Sequence, residues 1–84
     1  MTRDEVLAWL DTRRPVPPTT LRARLRCAVH DAPGGLAMHL AHLGQELLAG
    51  VTSQPAGGRE LALDLLAADA FATYAFEAQA EDET

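Results

Sequence analysis

Between Leu61 and Ala80, fifteen of twenty residues are apolar, and they do not keep to one face. At about 100° per residue, Leu63, Leu66, Ala70 and Tyr74 fall on one side of a helix, with Leu61, Ala68, Ala72 and Ala75 opposite them. Leu65 and Phe76 fill a third sector, and Phe71 and Ala78 a fourth. A helix that is apolar all round has to be covered all round. Asp64, Asp69 and Glu77 would be costly in hydrocarbon, and no basic flank follows, so the stretch does not read as a membrane span.

The rest of the chain supplies only part of that cover. Eighty-four residues make one domain, expected over 1–80, with 81–84 as a frayed acidic tail. Sixteen Ala, thirteen Leu and no Ile favour helices, because unbranched side chains lose little entropy in them. The expected class is all-α: a small four-helix bundle of three shorter helices and a long C-terminal one. Cores of this size are modest, so completion by a second copy is expected, most simply as a homodimer. Its interface would centre on Leu61, Leu65, Ala68, Asp69, Ala72, Ala75 and Phe76. A buried Asp69 would have to pair or take up a proton, and a cross-helix pair would fix the packing register.

Local signals place the helices. Thr2 and Glu5 have capping-box spacing ahead of a first helix over about Arg3 to Arg13, stopped by Pro15-Val-Pro-Pro18. A second helix, about Thr19 to Asp31, carries Leu21, Leu25, Ala28 and Val29 on one stripe, and Ala32-Pro-Gly-Gly35 breaks it. The third, about Leu36 to Ala49, aligns Leu36, Leu40, Leu43 and Leu47, with Gly50 as its cap and a surface loop to Gly58. The fourth spans about Arg59 to Ala80. No charged-then-apolar leader opens the sequence, and Cys27 is the lone cysteine, which together predict a cytoplasmic protein without disulfides.

Charge is uneven: residues 1–30 carry a net +3 and residues 31–84 a net −8. Arg13, Arg14, Arg22 and Arg26 are expected to form a basic patch where the first two helices meet, suited to an acidic surface on a partner protein. A nucleic-acid regulator is the competing use of that patch. The overall charge of −5 and the absence of interleaved aromatic residues weigh against it.

Cys27-Ala-Val-His30 and His39-Leu-Ala-His42 flank the Pro-Gly-Gly turn, each pair spaced to share a helix face. If the four side chains converged they would suit tetrahedral zinc, with Glu46 as an outer partner; that is the alternative function, a small metal-binding protein. Both pairs lie beside the leucine stripes, so the competing reading is a solvated His-His-Glu stripe and a structural thiol. No catalytic motif stands out. Ala41-His-Leu-Gly44 puts a histidine on a helix as phosphotransfer bundles do, but lacks a lysine after the leucine. The expected role is therefore binding: a protein–protein interaction or assembly module, with no organic cofactor.

Overall fold

Thr2 begins the first helix as the spacing predicts. Its hydroxyl accepts from the Glu5 amide, and the Glu5 carboxylate accepts from the Thr2 amide. In the computed structural model, which describes residues 1–53 and 58–83, four helices follow in order: α1 (Arg3–Leu10), α2 (Thr19–Ala28), α3 (Leu36–Thr52) and α4 (Arg59–Asp82). The described residues contain no strand, and none of their helices is long and apolar enough to cross a membrane.

All four helices end elsewhere than expected, α4 two residues later at Asp82. Helix α1 stops at Leu10, before the proline run, because Asp11 to Arg13 close a turn onto Leu7, Trp9 and Leu10 carbonyls. Helix α2 ends at Ala28, since Val29 is already extended. Helix α3 runs through Gly50 to Thr52, so Gly50 is an interior residue rather than a cap. Residues 54–57 of the anticipated loop lie outside the described residues.

Helices α3 and α4 pack closely against each other and form the spine. Gly44 permits this: a β-carbon there would sit 3.2 Å from the Ala68 carbonyl oxygen and 3.4 Å from the Phe71 β-carbon. Phe71, Leu40, Leu43 and Val6 are the largest apolar side chains sealed in the core. The leucine stripe of α3 faces inward as expected, with Leu40, Leu43 and Leu47 buried and Leu36 packed partly against them.

Charged and aromatic contacts fasten α1 and α2 to α4. Arg24 Nε donates to Asp64 at 2.6 Å, with both side chains partly buried. Arg13 lies 3.9 Å over the Trp9 ring and reaches Glu77 at 3.0 Å and Glu81 at 2.9 Å. Trp9 Nε1 also donates to Glu81, and its ring meets Tyr74 edge-on at 6.0 Å. The expected acidic tail is thus helical through Asp82, and Glu81 is tied to the body of the protein.

Candidate interaction groove

One face of the spine lies under α1 and α2. The other carries an apolar groove of about 670 Å³, lined by α3 and α4 residues alone. From α4 come Leu65, Ala68, Asp69, Ala72, Ala75, Phe76 and Gln79; from α3 come Ala37, Met38, Ala41, Gly44, Gln45 and Leu48. Six of the seven residues expected at an interface therefore share one surface, while Leu61 lies outside it, half-buried. The small side chains and Gly44 make the floor. The large ones stand up from it, Phe76 at 79% exposure and Met38 at 60%.

Asp69 is exposed on the groove lining, so burial imposes no partner on it within the chain. Its backbone carbonyl accepts from Thr73 Oγ1 at 3.1 Å. The contribution of α3 was not anticipated at all. Met38, Ala41, Gln45 and Leu48 step by three, four and three residues, a second stripe beside the leucine stripe, and that spacing was the available signal.

Four of the six arginines in residues 1–30 do gather around a single cavity, and much of their charge is matched within the chain. Arg22 and Arg26 both donate to Asp11 Oδ1, at 3.0 and 2.9 Å. Arg13 is held by Glu77 and Glu81, and Arg14 donates to the Asp11 and Arg13 carbonyls. Part of the acidic surface expected on a partner is thus supplied by α4 itself.

The cysteine and histidines do not assemble. Among the described residues, no group of three or more His, Cys, Asp or Glu side chains comes together as a metal ion would require. The early end of α2 is the physical reason. With Val29 extended, Cys27 and His30 no longer share a helix face, and Cys27 is left exposed as a free thiol. His30 instead turns its Nε2 to Glu46 at 2.9 Å and its Nδ1 to the Asp31 carbonyl at 3.0 Å. Two acceptors on one ring favour the imidazolium. The His30 pKa is accordingly raised, first by the Asp31 carbonyl and then by Glu46.

His39 is the exception to the solvated stripe. It is only 2% exposed, its ring centre lies 5.7 Å from that of His30, and among the described residues neither ring nitrogen has a hydrogen-bond partner that meets distance and angle requirements. Burial lowers its pKa, opposed by the nearby His30 carbonyl. His42 remains exposed on α3.

No protein-family model matches the chain, and neither a curated protein nor a solved structure is found similar to it. Geometry and charge alone therefore bear on function.

Proposed function

We propose that the protein acts by binding, as a small assembly or interaction module, and that the α3–α4 groove is its interface with a second copy of the same chain. The observation that carries this reading is an uncovered apolar groove on a chain whose other helices already pack on the opposite face. From Leu65 to Gln79 the groove follows α4 for about 21 Å at 1.5 Å per residue, the length of a four-turn helix. An amphipathic helix laid in a groove is a recurrent mode of recognition.

The lining also favours self-association. Each chain supplies both a hole, over Gly44, Ala68 and Ala72, and knobs, Phe76 and Leu65. An antiparallel twofold arrangement of two α4 helices, with its axis between Asp69 and Ala72, sets Phe76 of each copy at the Leu65 end of the other, as an isologous contact requires. Asp69 is the one charged residue in the lining, so like-charge repulsion across the contact is confined to the two Asp69 carboxylates that flank the axis. In a reducing cytoplasm the exposed Cys27 stays a thiol and plays no part in the contact.

Substitution at the knob tests the interface. Phe76→Ala is expected to weaken dimerisation by on the order of tenfold to a hundredfold, the usual cost of removing a central aromatic anchor. Leu66, 58% exposed but outside the groove, provides the control: Leu66→Ala should leave the dimerisation constant unchanged in analytical ultracentrifugation. Equal effects of the two substitutions would dismiss the groove as the interface.

A further inference from the structure

A second cavity, of about 380 Å³, lies between the end of α1, the proline-rich connector and α2, and Arg13, Arg14, Arg22 and Arg26 all line it. Its volume falls near the lower end of those that hold small molecules. Asp11 is the carboxylate in this lining, and its Oδ1 serves both Arg22 and Arg26. Arg13 is matched from outside by Glu77 and Glu81. The lining itself sets four arginines against one carboxylate, and with Glu77 and Glu81 counted the cluster still keeps an excess of one positive charge.

We propose that this cavity binds a small phosphorylated molecule, with Arg14, Arg22 and Arg26 holding its phosphoryl dianion and the apolar wall receiving a compact organic group. Arg14 spends one guanidinium nitrogen on two backbone carbonyls, and its fork keeps further donors for an anion. The Asp11 pairs are half-exposed and weakly held, so a dianion displaces them at small cost. Paired oxygens on a phosphoryl group match the planar arginine fork.

Two further features agree. Thr19 lines the cavity at the first turn of α2, and the preceding Pro18 offers no side-chain acceptor to the free amides there. Leu10, Val16, Pro17 and Leu25 form a wall that a bare ion would leave unfilled. An extended nucleic acid is disfavoured, because the −8 carried by residues 31–84 would repel a long polyanion. A single phosphoryl group in a concave site is exposed chiefly to the local excess.

The test is titration of the full chain with inorganic phosphate, phenyl phosphate and benzoate, followed by amide NMR. Saturable shifts are expected at Arg14, Thr19, Arg22 and Arg26, with phenyl phosphate binding more tightly than inorganic phosphate and benzoate at least tenfold more weakly. Arg14→Gln and Arg22→Gln, both at exposed positions, should each weaken phenyl phosphate binding by about tenfold or more. Arg59→Gln, on the exposed start of α4, and Phe76→Ala, in the groove, should leave it unchanged. Shifts that do not saturate, equal loss on Arg59→Gln, or benzoate binding as tightly as phenyl phosphate would overturn the assignment.

Discussion

His30 and His39 lie side by side and answer pH in opposite senses. The His39 pKa is held below its ordinary 6.5, chiefly by burial, with the His30 carbonyl and, more weakly, Glu46 opposing it and the His30 ring and the Met1 ammonium adding to it. Its stabilising contribution is present above that ordinary value and is lost as pH falls through the lower folded value. The His30 pKa is raised, so its contribution is present below 6.5 and is lost as pH rises through the folded value. Urea denaturation across about pH 5 to 8 separates them. His39→Leu should remove the loss on the acid side, and His30→Ala the decline on the alkaline side. Because His39 buries two unpartnered nitrogens, His39→Leu should also stabilise the protein at neutral pH by about 1–3 kcal/mol. An unchanged acid limb in His39→Leu would show that other groups govern it.

Among the elements, the α3–α4 pair decides the architecture, and Gly44 decides how closely the pair packs. A side chain there meets the Ala68 backbone, which lies within a helix and has little room to move. Gly44→Val should therefore cost about 1–3 kcal/mol in denaturant unfolding, despite the better helix propensity of valine. A neutral or stabilising effect would mean that the two helices separate freely. Helix identity was legible in the sequence because leucine spacing and the proline and glycine breaks act locally, as in the stripe Leu36, Leu40, Leu43 and Leu47. The same locality explains the differences. The end of α2 at Ala28 accompanies long-range bonds, Arg3 donating to the Val29 and Arg26 carbonyls and Asp31 accepting from the Arg3 amide, which no pattern within 19–31 encodes. The metal constellation depended on that turn and did not survive it. The groove was half legible: the apolar sectors of α4 stand out in its sequence, whereas the α3 stripe of Met38, Ala41, Gln45 and Leu48, weakened by a polar Gln45, is overshadowed by the leucine stripe beside it.

At the scale of the whole molecule, the uneven charge is partly neutralised across the fold, through Arg13 to Glu77 and Glu81 and through Arg24 to Asp64. Beside these pairs lie two surfaces of different chemistry. One is an apolar groove with a single charge, and the other an arginine-lined cavity on the side of α1 and α2. Assembly through the groove would leave the cavity open on each copy, so phosphate binding and dimerisation should be separable by mutation. Phe76→Ala and Arg22→Gln together should lose both with additive effects, while strong coupling would mean that the two surfaces meet in the assembled form.

If the groove closes on a second copy, the protein is a dimer in solution. Native mass spectrometry of untagged protein across the micromolar range tests it most directly, with wild type beside Phe76→Asp. The expected result is a metal-free dimer for wild type that gives way to monomer in the variant. A wild-type protein that stays monomeric throughout, or a dimer untouched by Phe76→Asp, would contradict it.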